Sequence, residues 1–352
     1  MSAEPVPFSN ATNLVQAGSS SGSGGGGGGA AGSAPISQSP EAPKLKVADL
    51  PDVDFDVAGE PQWVDMQVDE SEELPPAGLF DGVQTFPGDG LPVDTRPLIS
   101  PLESMTILRA EYENGTQEFV EQIDWLMNRG WIGLRRTRGD GDCFYRSLAF
   151  AYIEQILNAT EPALAVISAV SVLESTQPLL EQAGYQSLVF EDFYESFVEL
   201  INAIITPRAD GRLLTITSLL EAFNTPEVSN SVVMYLRMLT STQIKLNAEL
   251  YAPVLFDPEM KMHVELENFC NNFVEAFGKE ADDIQITALS GILKVNIDVA
   301  YVDGRKVPET VHFVTLRNAP DPDAEPITLL YRPGHYDILD RRSQDPIPPL
   351  LE

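Results

Sequence analysis

Apolar residues recur at helical spacing along most of the chain beyond residue 100. Phe190, Phe193, Phe197 and Leu200 show this clearly, because residues three and four positions apart share one face of a helix. Glycines such as Gly184 mark the ends of these segments. The pattern predicts helices over about 100–113, 116–129, 143–157, 162–183, 191–206, 215–224, 228–250, 264–277 and 282–293.

The start of the first predicted helix carries capping signals. Ser100 is a favoured N-cap residue, Pro101 suits the first helical position, and Glu103 stands where a capping box places its acid. Asn114-Gly115 follows as a stop. We therefore predict that folded structure begins at Ser100.

The last third of the chain changes to the two-residue alternation of strands. Strands are predicted at 295–302, 311–316, 327–331 and 335–339, with a short extended segment earlier, at 131–137. Helices followed by a small, mostly antiparallel C-terminal sheet predict an α+β fold.

The first part of the chain lacks both patterns. Gly18 to Gly32 is rich in Gly and Ser, and Asp49 to Asp94 is acidic, with prolines and almost no Lys or Arg. Neither composition provides a core, so both favour disorder. We predict a disordered tail over 1–94, a folded domain over 95–340 and a C-terminal tail over 341–352.

The chain is strongly acidic, with a formal net charge of −31. This charge disfavours nucleic acids and anionic membrane surfaces as partners and favours a basic protein. The N-terminal residues do not resemble a signal peptide, and no stretch approaches the ~18 uninterrupted apolar residues of a membrane span. Two cysteines make no disulfide framework. We expect a soluble protein of the cytoplasm, and also of the nucleus.

Cys143 is the strongest candidate nucleophile. It follows a turn at 139–142 and begins a predicted helix. Free N–H groups and the dipole at a helix N-terminus favour a thiolate, and they can hold the oxyanion formed when a thiolate attacks a carbonyl. Gly141 lets the backbone approach a substrate closely. From these residues alone, a buried structural cysteine is an equally good interpretation.

His335 is the strongest candidate base. Asp337 lies two residues along the same predicted strand, so both side chains point to one face. The carboxylate could fix the imidazole tautomer and leave the other nitrogen for the thiol. A surface histidine beside a surface acid is the alternative. We predict that His312 is either exposed or satisfied by hydrogen bonds, and that Cys270 belongs to a core face; His263 has no carboxylate two residues away.

The sequence offers no cluster of metal ligands, no phosphate-binding loop and no dinucleotide fingerprint. These residues therefore favour a Cys/His hydrolase or transferase that needs no cofactor.

Two long motifs resemble a known family. Residues 136–147, RTRGDGDCFYRS, are similar to the catalytic-cysteine motif of the ovarian-tumour (OTU) deubiquitinases in its otubain form, and residues 329–339, LLYRPGHYDIL, are similar to the otubain histidine motif. Segments 233–241 and 284–289 also resemble otubain sequence. The resemblance covers roughly residues 95–340.

The resemblance implies a papain-like fold and a protease that cleaves the isopeptide bond after the ubiquitin C-terminal Gly-Gly, in polyubiquitin chains. It implies Cys143 as nucleophile, His335 as general base and Asp337 as the residue that orients the imidazole. It places Asp140 and the backbone around Cys143 at the oxyanion hole, and a ubiquitin-binding surface on the helical side. The alternative is a non-catalytic, ubiquitin-binding inhibitor of ubiquitin-conjugating enzymes; a different papain-like protease or acyltransferase is a weaker alternative.

The chain departs from the otubain motif at Asp142, where otubains usually carry Asn. A carboxylate pointing at the thiol would oppose a thiolate, whereas one that caps the helix would have little effect, and the helix start favours capping. Carboxylates of this acidic chain could pair with the arginines just before the ubiquitin C-terminal glycines, and Glu191, Asp192 and Glu195 are candidates.

Overall fold

The computed structural model describes residues 96–257, 260, 262–305 and 310–342. The predicted disordered tail at 1–94 lies outside the described residues, as do residues 343–352 of the predicted C-terminal tail.

Helices form most of the described chain up to Leu293, and four of the six strands follow between Asn296 and Asp340. The helices are α1 (Met105–Tyr112), α2 (Gln117–Asn128), α3 (Cys143–Leu157), α4 (Pro162–Gln182), α5 (Ser187–Asn202), α6 (Ile216–Phe223), α7 (Pro226–Leu246), α8 (Ala248–Tyr251), α9 (Leu266–Phe269) and α10 (Asp283–Leu293). The strands are β1 (Glu103–Ser104), β2 (Gly133–Arg135), β3 (Asn296–Tyr301), β4 (His312–Arg317), β5 (Ile327–Arg332) and β6 (His335–Asp340).

The strands form one six-stranded sheet in the order β1-β2-β6-β5-β3-β4. All neighbours are antiparallel except β3 and β5, which run parallel. This exception arises because the chain places β4 on the outer edge of β3 and then returns to the other side of β3 for β5. The predicted α+β fold with a mostly antiparallel C-terminal sheet is confirmed.

Helix α3 is the centre of the core. Every residue of α3 except Gln155 and Leu157 is buried. One side of the helix lies on the sheet, where the Phe144 ring packs edge-on against Tyr336 of β6 with centroids 5.5 Å apart. Other α3 residues pack against α7, which also contacts α4, α5 and α10. The first residue of α3 is therefore held from both layers.

The predicted start of the first helix at Ser100 is wrong. Ser104 is the N-cap of α1, where its side chain accepts a hydrogen bond from the Thr106 N–H. Ser100 instead exchanges backbone and side-chain hydrogen bonds with Arg136, and Glu103 pairs with Leu134 as part of β1. Long-range pairing along β2 thus overrides the local capping signals.

The predicted helix at 264–277 is also replaced. Four residues form α9, and a π-helical turn, Cys270–Val274, follows it. The wider turn ends where the Glu275 carboxylate accepts hydrogen bonds from Tyr185 (2.6 Å) and Ser241 (2.7 Å) and pairs with Lys245 (3.0 Å). These contacts lie outside the helix's own sequence, so periodicity could not predict the π turn.

Among the described residues, α4 is the one helix long and apolar enough to cross a membrane by length and composition. One face of α4 packs on α5 and α7, and the Thr176 hydroxyl hydrogen bonds to the buried Tyr235 hydroxyl at 2.8 Å. In this structure α4 is part of the folded helical layer.

We expect Gly133→Ala to destabilise the fold by about 1–3 kcal/mol, the usual cost of overpacking. A Cβ at Gly133 would overlap the carbonyl oxygen of Arg342, so β2 and the segment after β6 would have to separate. Urea unfolding measures the change. Gly115→Ala is the control, because its Cβ would meet nothing closer than 3.3 Å; an equal loss in both variants would contradict the packing argument.

Candidate active site

Cys143 is the first residue of α3 and is 2% exposed. The preceding Gly141 has φ +81°, and a Cβ there would overlap the backbone of Gly278. Only glycine fits both the positive φ and this close approach. The turn therefore brings the sulfur to the helix N-terminus, where the first backbone N–H groups of α3 have no helical acceptor.

His335 and Asp337 lie on β6, which packs against α3. They share one face of the strand, and imidazole Nε2 lies 2.9 Å from Asp337 Oδ1. The charge of Cys143 also acts on the imidazole. The structure thus brings together the three side chains in the order thiol, imidazole and carboxylate, all of them buried.

The surroundings stabilise a charged imidazolium. Burial lowers the pKa of His335, but the charges of Asp337 and Cys143 and the hydrogen bond with Asp337 raise it more, to about 9. Burial alone would raise the pKa of Asp337, but the charges of His335 and Arg332 hold it far below its ordinary value.

Asp337 has two further donors, which the sequence did not reveal as site residues. The Thr137 N–H donates to Oδ1 at 2.9 Å, and Arg332 Nη2 donates to Oδ2 at 2.5 Å. Arg332 pairs directly with His335 across the β5–β6 hairpin. The hairpin register could have indicated this arginine, because the turn Pro333-Gly334 is visible in the sequence.

Asp140 shapes the turn before Cys143. Its Oδ1 accepts the Asp142 N–H at 3.0 Å, and its Oδ2 accepts from Arg146 Nη2 at 2.9 Å. Arg146 also donates to Ser229 of α7 at 2.5 Å. The carboxylate therefore joins the turn to α3 and, through Arg146, to α7.

Asp142 does not cap α3 with its side chain, so the capping interpretation is wrong. Its Oδ1 accepts hydrogen bonds from Arg237 of α7, from Nε at 3.0 Å and from Nη2 at 2.5 Å. Arg237 stands 95 residues away in sequence. Helix-capping rules consider only neighbouring residues, so they could not reveal this partner. The position of an arginine within the apolar run of α7 did indicate that it has a buried acidic partner.

The remaining sequence candidates lie apart from this cluster. Cys270 is buried in the core, as predicted, and burial raises the pKa of its thiol to about 11. His312 is exposed, as predicted, and lies beside the Tyr301 ring. His263 is exposed and hydrogen bonds to the Ala252 carbonyl at 2.8 Å. Three acidic residues of α5 are exposed, and their proposed role stays a prediction: Glu191, Asp192 and Glu195.

Across the described ranges, no group of three or more His, Cys, Asp or Glu residues could hold a metal ion. The chemistry available at the site is therefore that of the thiol, the imidazole, the carboxylate and the backbone N–H groups around them.

Two curated relatives are similar to this chain over most of their own length. The OTU domain-containing deubiquitinating enzyme 1 of Arabidopsis thaliana is 35% identical over 253 residues, which are 69% of this chain and 80% of that protein. Human ubiquitin thioesterase OTUB1 is 32% identical over 243 residues, 69% of this chain and 83% of that protein.

Two solved complexes resemble the fold at 26% sequence identity. The chain in the structure of h/ceOTUB1 with ubiquitin aldehyde and UBC13~Ub superposes with a TM-score of 0.61, covering 70% of this chain and 91% of that one. The chain in a ceOTUB1, ubiquitin aldehyde and UBC13~Ub complex gives 0.62, covering 70% and 95%. Residues 92–341 match the family described as peptidase C65, otubain. This chain therefore belongs to the otubain family.

Proposed function

We propose that this otubain is a cysteine-protease deubiquitinase that hydrolyses the isopeptide bond after the ubiquitin C-terminal Gly-Gly, with polyubiquitin chains as substrates. The observation that carries the proposal is the buried series of Cys143, His335 and Asp337 at the start of α3. The relatives named ubiquitin thioesterases and the similar complexes that contain ubiquitin aldehyde support this substrate class.

In the first half of the reaction, the Cys143 thiolate attacks the carbonyl carbon of the last ubiquitin glycine. The imidazolium of His335 stabilises the thiolate before the attack. Negative charge then develops on the carbonyl oxygen, and backbone N–H groups at the start of α3 can stabilise it. Asp140 acts on this step by holding the turn, since a carboxylate cannot donate a hydrogen bond to an oxyanion.

The tetrahedral intermediate collapses when His335 gives its proton to the leaving lysine amine. The C–N bond breaks, and ubiquitin stays attached to Cys143 as a thioester. Neutral His335 then removes a proton from water, which attacks the thioester and releases ubiquitin and the thiolate. Asp337 holds the imidazole through both halves, because its Oδ1 fixes Nε2 and leaves Nδ1 for the sulfur and the leaving group.

A second function is favoured by one specific finding. The similar solved complexes hold UBC13~Ub or UBCH5B~Ub besides ubiquitin aldehyde. Binding and inhibition of ubiquitin-conjugating enzymes, without hydrolysis, is therefore the alternative role for this chain.

The assignment of the nucleophile predicts that Cys143→Ala abolishes cleavage of diubiquitin and leaves ubiquitin binding intact. Reaction with ubiquitin that carries a C-terminal thiol-reactive electrophile measures this: an adduct should form with wild type and with Cys270→Ala, and not with Cys143→Ala. Cys270 is the matched control, because it is buried and outside the site.

The outcomes of this experiment separate the two functions. An adduct that persists in Cys143→Ala contradicts the assignment. A wild-type chain that forms no adduct but binds a ubiquitin-charged conjugating enzyme favours the inhibitory role. A chain that neither reacts with ubiquitin nor binds it contradicts both.

The raised pKa of His335 predicts how kcat/KM changes with pH. The imidazolium is the proton donor, so kcat/KM should fall as pH rises through about 9, where His335 loses its proton. In Asp337→Asn the carboxylate charge that raises this pKa is lost, so the alkaline limb should move to lower pH. We also expect kcat/KM to drop by about 10²–10⁴-fold. A limb that stays near 9 in Asp337→Asn would assign it to another group.

A further inference from the structure

The otubain motif differs at Asp142, and this carboxylate has a buried partner. Asp142 and Arg237 form an ion pair whose side chains are 8% and 0% exposed. Both Nε and Nη2 of the guanidinium donate to the same oxygen, Oδ1. The Gly278 N–H donates to that oxygen as well, at 3.2 Å.

Arg237 also reaches the backbone on both sides of the nucleophile's turn. It donates to the carbonyl oxygens of Gly141 (3.1 Å), Val274 (2.8 Å) and Lys279 (2.7 Å). Its guanidinium carbon lies 4.3 Å from the centroid of the Tyr145 ring, a cation–π contact. The buried charge thus has acceptors for Nε and for both terminal nitrogens, which a buried guanidinium requires.

These contacts join two segments near the site. The first, residues 140–142, directly precedes Cys143. The second, residues 278–280, contains Glu280, whose pKa is raised by burial and lowered by the charge of His335. The segments already touch at Gly141 and Gly278. Asp142 directly precedes Cys143 in the chain. Its Oδ1 accepts hydrogen bonds both from Gly278 in the second segment and from Arg237 of α7.

We propose that Asp142 and Arg237 are positioning residues for the nucleophile: the ion pair fixes the turn before Cys143 against residues 278–280, and Arg237 neutralises the carboxylate beside the thiolate. The role of the ion pair in catalysis rests on the proposed function, in which Cys143 is the nucleophile. The carboxylate charge, which would otherwise oppose a thiolate next to it, is balanced within the pair, so wild type keeps no net charge there.

The charge balance gives a signed prediction. Asp142→Asn keeps an oxygen for Arg237 and Gly278 but leaves one uncompensated positive charge, so proton loss from the thiol–imidazole pair becomes easier. Arg237→Gln leaves one negative charge, so proton loss becomes harder. In the double variant both charges are absent, and the balance returns.

The other charged or titratable groups facing this region are unchanged by these substitutions. They are Tyr145, the Asp140–Arg146 pair, Asp337, Arg332 and Glu280. Burial raises the pKa of Tyr145 to about 12. Tyr145 therefore stays neutral from about pH 4 to about pH 10, the range over which alkylation is measured.

The test is the pH dependence of alkylation of Cys143 by iodoacetamide, in a Cys270→Ala background that leaves one thiol. We expect the midpoint of the acid limb to fall by about half a pH unit or more in Asp142→Asn and to rise by a similar amount in Arg237→Gln, as expected for one charge a few ångströms from the thiol. The double variant should return to within about 0.2 unit of the background midpoint.

Arg135→Gln is the matched control. Arg135 is also fully buried and pairs with Glu154 at 3.3 Å. Glu154 lies eleven residues along α3 from Cys143, about 16 Å at 1.5 Å per residue. This variant loses a buried arginine–carboxylate contact, while Glu154 keeps its second partner, Arg342, at 2.9 Å. It should therefore be destabilised in thermal unfolding without a shift of the alkylation midpoint.

The outcomes are distinct. Equal midpoints in Asp142→Asn and the background overturn the inference, and so does a shift of the same sign in Asp142→Asn and Arg237→Gln. If Arg237→Gln does not fold, Asp142→Asn decides alone, because it retains the acceptor oxygen. Alkylation needs no ubiquitin, so a chain that fails to cleave ubiquitin contradicts the proposed function while the midpoints still test the ion pair.

Discussion

The site depends on one buried carboxylate, that of Asp337. It is 0% exposed and accepts hydrogen bonds from three directions: from His335 on its own strand, from the backbone after β2, and from Arg332 on β5. A carboxylate taken out of water is costly unless such partners replace its hydration. The need to satisfy this carboxylate therefore holds β6, β5 and the segment after β2 around its two oxygens. The imidazole of His335 is oriented as a consequence.

Buried arginines organise the rest of the site in the same way. The chain has a large acidic excess, yet Arg135, Arg146 and Arg237 are among its largest fully buried side chains. Each is paired with a carboxylate: Glu154, Asp140 and Asp142 respectively. Asp140 and Asp142 flank Gly141 in the turn before Cys143, so two arginines hold the two ends of that turn. The net charge of the chain predicts which classes of partner its surface disfavours. It does not reveal these buried pairs of arginine and carboxylate.

The sequence predicted the parts of the fold in which local signals and packing agree. Helix α3 begins and ends where predicted, because its glycine turn and its apolar run favour the same structure. The strands that carry the histidine motif also lie where alternation placed them. Two predictions failed for the opposite reason. The first helix does not start at Ser100, because β1 pairs with a strand about 30 residues away. The helix at 264–277 is interrupted, because Glu275 at the end of the π turn binds groups from other elements.

The same distinction explains why a motif could indicate the candidate site but not its electrostatics. Residues 136–147 show that an acid precedes Cys143, and helix-capping rules direct that acid toward the N–H groups of α3. The structure directs it toward Arg237 instead, because a buried guanidinium 95 residues away offers two donors to one oxygen. The sign of the electrostatic effect at Cys143 therefore depends on the pair of residues. Consider an otubain that has Asn at this position and an arginine at the position of Arg237. The arginine would then leave a net positive charge near the sulfur. Comparisons of activity within the family should therefore take both residues into account.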